Sequence, residues 1–223
     1  MSKVEDYAGL VAVRTTCRLC SELVNPADVE NGRYDSSEIG PWSRWQGNLN
    51  AKLMVVGQDW GDTGYFVRNE GVESLGNRTN VTLMDLIGTL GLTIGPPGAM
   101  MGQDVVFFTN AILCLKEGGL QAQVQENWFR NCAPHLRRQI EIVQANIVVG
   151  LGERAFRAIL LGFNLLSRSF RSEVEDPEGT LLPNGSRAFA VYHCGARIQN
   201  THRKLDAQER DWARMRRFLT EAG

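Results

Sequence analysis

Short apolar runs alternate with helical stripes along most of the chain, and this alternation predicts its elements. Lys52–Gly57 (KLMVVG) reads as a buried strand that stops at glycine. Leu83, Leu86, Ile87 and Leu90 recur at helical spacing over Asn80–Leu90, with Thr79 and Asn80 as candidate caps. Val105–Asn110 (VVFFTN) reads as a second strand. Trp128–Val143 carries a stripe of Phe129, Cys132, Leu136, Ile140 and Val143, with Pro134 expected to break or kink the helix near its start. Ile147–Gly150 is a third strand, followed by a helix over Glu153–Leu161. Ala188–His193 (AFAVYH) is a fourth strand, and a helix over Leu205–Leu219 closes the chain.

Strands alternating with helices predict one α/β domain over residues 1–223. Its core would be a mostly parallel four-stranded sheet with helices on both faces. Ligands of open α/β sheets sit beyond the carboxyl ends of the strands. That rule selects Gly57–Gly61, Thr109–Asn110 and the chain from His193 onward. Each place carries a polar residue where an apolar strand ends: Asp59, Asn110 and His193. Taken singly, they read as a turn acid, a cap or turn residue, and a satisfied core histidine. Three at one predicted sheet edge mark a candidate site.

The first 50 residues break the pattern. After Cys17-Arg-Leu-Cys20 the chain is loop-like and rich in Gly, Pro, Asp and Ser, so it buries little apolar surface by itself. Something must hold it down. The five cysteines are an odd count, which argues against a disulfide framework. Cys17 and Cys20 form a CxxC pair, Cys114 follows the second strand, and Cys132 lies in the next helix. Four thiolates so placed suit zinc or an iron–sulfur cluster, and spacing does not choose between them. Plain burial as small apolar side chains is the competing reading, and the better one for Cys194.

Composition changes this picture little. A hydrophobic fraction of 43% supports a proper core, and a net charge of −1 supplies no global field for nucleic acid or membrane. Charge is local instead: His193–Arg217 holds seven Lys/Arg against three acids. No apolar run approaches the roughly 20 residues of a membrane span. The N-terminus has early acids and no signal-peptide core, so a cytoplasmic protein is expected. A monomer is the default expectation.

The order CxxC, a strand ending in G-x-x-x-G, a nearby aromatic, TNA-x-x-C, a Cys within NCAPHLRRQI, IVVGLG and a strand ending YH resembles the uracil-DNA glycosylase superfamily. It is most similar to the iron–sulfur group, family 4, and the resemblance runs from about Cys17 to Trp212. It implies a 4Fe–4S cluster on Cys17, Cys20, Cys114 and Cys132, which would tie down the N-terminal segment, with zinc as the alternative. The turn Gly57-Gln58-Asp59-Trp60-Gly61 departs from the group's GEAPG or GEGPG, and its opening GQD resembles the GQDPYH of family 1. By that resemblance Asp59 serves the attacking water. Gly57, Gln58 and Gly61 shape the substrate pocket, and Gly61 replaces the tyrosine that excludes thymine. Phe66 resembles the residue that stacks on the flipped base, Asn110 the one that reads it, and His193 the histidine of the last motif. Arg197 would contact DNA. The implied activity is hydrolytic removal of uracil from single- or double-stranded DNA without strand cleavage. Two alternatives remain: a glycosylase for another deaminated or mismatched base, and a non-catalytic iron–sulfur DNA-binding module.

Overall fold

The computed structural model of the chain describes residues 2–99, 106–119 and 122–219; Val105, the first residue of the expected second strand, lies outside the described residues. Apolar runs form strands β1 (Leu53–Gly57), β2 (Val106–Asn110), β3 (Ile147–Leu151) and, after a two-residue β4 (Thr180–Leu181), β5 (Arg187–Val191). The sheet has five strands in the order β2-β1-β3-β5-β4, one more than the four expected. The additional strand β4 lies in a polar stretch with no apolar run to announce it, and pairs antiparallel with β5 through Thr180↔Ala188 and Leu181↔Arg187. The other pairings are parallel.

Alternate residues of each strand feed opposite cores. Met54, Val56, Phe107 and Val148 point to one cluster, Leu53, Val55, Phe108 and Val149 to the other. Both faces are therefore apolar, as a covered parallel sheet requires. Helices α1 (Lys3–Thr16), α2 (Thr63–Arg68), α3 (Arg78–Thr89), α4 (Glu126–Val143) and α5 (Glu153–Gly162) precede α6 (Phe170–Glu175), α7 (Ala196–Thr201) and α8 (Leu205–Ala213). Side chains of α1, α4 and α5 join the first cluster, and those of α3 and α8 the second. Among the described residues no helix is long and apolar enough to cross a membrane.

Three local expectations change. The side chain of Asn77, not Thr79 or Asn80, caps α3 by accepting from the Thr79 amide at 3.0 Å. Helix α4 runs unbroken through Pro134. Burial of Trp128, Phe129, Leu136 and Ile140 along one side outweighs the ~3 kcal/mol that an interior proline costs. The closing helix ends at Ala213 and tightens into a 3-10 turn over Arg214–Leu219.

The N-terminal region is more ordered than its composition suggests. Ser2 and Glu5 form a capping box that starts α1. Tyr7, Leu10, Val11 and Arg14 then make its buried stripe, with arginine in the fourth place. Arg14 is 1% exposed. Its guanidinium donates to Asn25 Oδ1 at 3.3 Å, Asp35 Oδ2 at 3.0 Å, and the Ser36 and Glu38 carbonyls at 3.3 and 2.9 Å. Protein side chains thus hold this loop down directly. Further along, Trp42 and Trp45 both stack on Phe108 of β2, with centroids 5.1 and 4.5 Å apart.

Arg14→Ala should destabilise the fold by about 3–5 kcal/mol in urea unfolding, because it leaves the Asp35 carboxylate and two carbonyls without their donor. A loss under about 1 kcal/mol, the scale of an exposed ion pair, would show that the loop is held by something else.

Candidate active site

The site is built on one parallel register. Gly57, the last residue of β1, pairs with Asn110, the last residue of β2. A side chain at position 57 has no room: a Cβ there would lie 2.5 Å from Asn110 Oδ1 and 2.6 Å from the Trp42 ring. Glycine lets the strand end, the amide and the indole meet. Because β2 and β3 flank β1 on opposite sides, β1 is the switch point of the sheet, where ligand crevices open. A cavity of about 640 Å³ lies there, lined by Gly57, Gln58, Asp59, Gly61, Asn110 and His193 among others.

Six of the eight residues expected to bind substrate, DNA or water thus share this cavity. Phe66 does not. It is fully buried in α2 and packs edge-on against Trp60, centroids 5.4 Å apart, and against Tyr34. Asp62 caps α2 by accepting from the Tyr65 amide at 2.9 Å, and the helix so started turns Phe66 into the core. Trp60 lines the cavity in its place. Arg197 is exposed on α7, next to Ile198, which is a lining residue. Other basic residues of the C-terminal region are engaged with acids: Arg203 with Asp211 at 2.7 Å, Arg210 with Asp206 at 3.1 Å, and Arg217 with Glu178.

Each polar residue of the cavity has a defined environment. Asn110 is 4% exposed, and its side chain makes no hydrogen bond among the described residues. A buried amide in that state keeps its acceptor and both donors for a ligand. Gly61 adopts φ +140°, a conformation open to glycine. Asp59 accepts from Gln58 Nε2 at 2.7 Å through Oδ2, and its Oδ1 lies 3.0 Å from Lys116 Nζ. His193 follows β5 by two residues, since the strand ends at Val191 rather than at the histidine. Its Nδ1 accepts from the Gly195 amide at 3.0 Å, which leaves Nε2 as the protonated nitrogen of the neutral ring. The ring opens to the cavity, yet the surrounding protein disfavours the imidazolium and lowers its pKa, while Asp59 pulls the other way.

Sequence reading missed several lining residues, among them Trp42, Trp60, Asn80 and Lys116. A lysine ending the apolar stretch AILCLK was the one signal for Lys116. Asn80 is buried, and among the described residues its Nδ2 has no partner. Trp42 both covers Phe108 and lines the cavity.

Cys17, Cys20, Cys114 and Cys132 line a second, small cavity together with Asn131. All are free, and Asn131 Nδ2 donates to Cys20 Sγ at 3.3 Å. Burial, and then mutual repulsion, pushes the Cys114 thiol up to about 12. Burial likewise pushes the Cys132 thiol up to about 11. Among the described residues no group of three or more His, Cys, Asp or Glu side chains is drawn together tightly enough to hold a metal ion. Cys194 stands apart, buried, with Sγ 3.5 Å from the Thr79 carbonyl.

The sequence model of the uracil DNA glycosylase superfamily matches residues 45–216. The chain is also 27% identical over 209 residues to the type-5 uracil-DNA glycosylase of Pyrobaculum aerophilum, covering 88% of this chain and 86% of that one. Motif order alone is most similar to family 4; the superfamily is common to both comparisons.

The His193 imidazole should titrate by NMR with a midpoint below its ordinary 6.5, and Asp59→Asn should lower it further by removing the one charge that raises it. The ring would then be neutral at pH 7. A midpoint above 6.5, or a rise in the variant, would contradict this geometry.

Proposed function

We infer the activity from one premise, that the chain belongs to the uracil DNA glycosylase superfamily. It is a DNA glycosylase whose substrate is uracil-containing DNA, and it cuts the bond between base and sugar by hydrolysis. The observation that carries this reading is the meeting of Asp59, Asn110 and His193, from three strand ends, in one cavity.

The target nucleotide must leave the stack before its C1′–N1 bond can be reached, at a cost of a few kcal/mol. Trp60 and Trp42 present aromatic surface in the cavity that returns part of this cost, roughly 1–3 kcal/mol per stacked base. Asn110 selects the base. Its amide N–H donates to uracil O4 and its carbonyl accepts from N3–H, whereas cytosine presents the opposite pattern at both atoms. Such a mismatch discriminates strongly, because it leaves buried polar groups unpaired.

As the C1′–N1 bond breaks, its electron pair moves onto the base and charge gathers on O2. The Nε2–H of His193 donates to that oxygen, with a ring already oriented by the Gly195 amide. Asp59 holds a water beneath C1′, accepts its proton and stabilises the cationic sugar. Arg197, exposed at the rim, is placed to meet a phosphate. With Gly61 at the motif's fifth position, rejection of 5-methyl bases falls to other residues of the wall.

The four-thiol cavity suits a 4Fe–4S cluster on Cys17, Cys20, Cys114 and Cys132. Zinc on the same four thiolates is the alternative. The Asn131 N–H to Cys20 is the kind of donor that supports a thiolate ligand. When bound, the cluster supplies a cross-link between the CxxC loop, the segment after β2 and α4, and no reactive group.

DNA carrying one uracil, single- or double-stranded, should acquire an alkali-labile site at that position on incubation with the protein. Asp59→Asn and His193→Ala should each slow its appearance by about 10²-fold or more. The purified protein should contain iron and inorganic sulfide in equal amounts. An alkali-labile site with another deaminated base but not with uracil would move the specificity; none with any base would leave only DNA binding.

A further inference from the structure

Lys116 is a buried charge that the reaction so far does not use. It is 5% exposed, lines the cavity and reaches Asp59 Oδ1 at 3.0 Å. The other carboxylate oxygen, Oδ2, receives the Gln58 amide at 2.7 Å. Two donors on opposite oxygens fix both the position and the plane of the carboxylate. An ionised carboxylate offers about four lone-pair sites. Two are thereby taken, and the others remain for a water.

The lysine is itself held by the loop it serves. Its amide donates to the Gly61 carbonyl at 3.3 Å, and its carbonyl accepts from the Thr63 amide at 3.2 Å. The preceding residue, Leu115, exchanges two hydrogen bonds of 2.8 Å with Val24. A lysine on a free loop would spread over many rotamers, about 2 kcal/mol of entropy. Here the backbone is fixed on both sides and the side chain is buried, which confines the ammonium beside Asp59.

We propose that Lys116 is a positioning residue: with Gln58, it locks the Asp59 carboxylate in the orientation that presents water to C1′. The proposal rests on the reading that Asp59 serves that water. The ammonium does not act as a nucleophile. It stays paired, and the bond formed at C1′ is to the oxygen of water.

The test is a double-mutant cycle on full-length protein with uracil-containing DNA under single-turnover conditions. It compares wild type, Asp59→Asn, Lys116→Met and the double variant, with Lys116→Arg beside them. Lys116→Met should lower the rate about 10- to 100-fold, the scale of a misplaced catalytic group. DNA affinity should be nearly unchanged, because the lost interaction belongs to the reacting state. The double variant should be no slower than Asp59→Asn alone, and Lys116→Arg should recover part of the rate. If Lys116→Met does not fold, the double variant, which removes both charges, and Lys116→Arg carry the test.

Independent losses that multiply in the double variant would overturn the proposal, as would an undiminished rate in Lys116→Met. A borohydride-trapped protein–DNA adduct, lost in Lys116→Met, would also overturn it by making the lysine a nucleophile. A wild-type rate in Asp59→Asn would instead sink the role of Asp59, and that result is distinguishable from the others.

Discussion

The structure depends on the register of one strand pair. Parallel pairing of β1 with β2 brings Gly57 opposite Asn110, so two carboxyl ends stop side by side. Only a residue without a Cβ permits this, since the space above Gly57 is filled by Asn110 Oδ1 and the Trp42 ring. Everything chemical follows from that close approach. The turn after β1 delivers Asp59, the end of β2 delivers the amide, and the indole closes the wall behind them. β3 and β5 continue the same parallel sheet, which carries His193 to the same edge.

The segment after β2 ties this edge to the rest of the molecule. Within a few residues it contains Asn110, then Cys114 in the four-thiol cavity, then Lys116 against Asp59. Leu115 between them pairs with Val24, which lies just beyond the CxxC loop. A short stretch of backbone thus serves the base-reading amide, the thiol cavity and the carboxylate together. Sheet geometry fixes its first residue, Val24 of the N-terminal region fixes Leu115, and the turn after β1 fixes Lys116. Arg14 gives that region its own rigidity through buried hydrogen bonds.

What could be read from sequence follows from what makes each feature. The parallel strands were legible because both faces are buried and the runs are continuously apolar. Asp59, Asn110 and His193 were legible because a strand-end rule needs only strand ends, and His193 still reaches the cavity although β5 stops two residues before it. The first helix was not, since Arg14 occupies a core place in its stripe and interrupts the hydrophobic pattern. Strand β4 was not, being two residues in a polar loop. Phe66 was expected at the base and lies in the core, because the Asp62 cap starts a helix that turns it inward. Trp42 and Lys116 owe their place in the site to contacts distant in sequence, which no local pattern encodes.

The most direct measurement is the rate of free uracil release from uracil-containing DNA by wild type and by Gly57→Ala, with the fold of both followed by circular dichroism. The account predicts release by wild type. It also predicts a loss of about 10²-fold in the variant, the scale for a displaced positioning group, with its secondary structure intact. Release at the wild-type rate from Gly57→Ala would show that the abutting strand ends do not build the site, and no release by either protein would contradict uracil as the substrate.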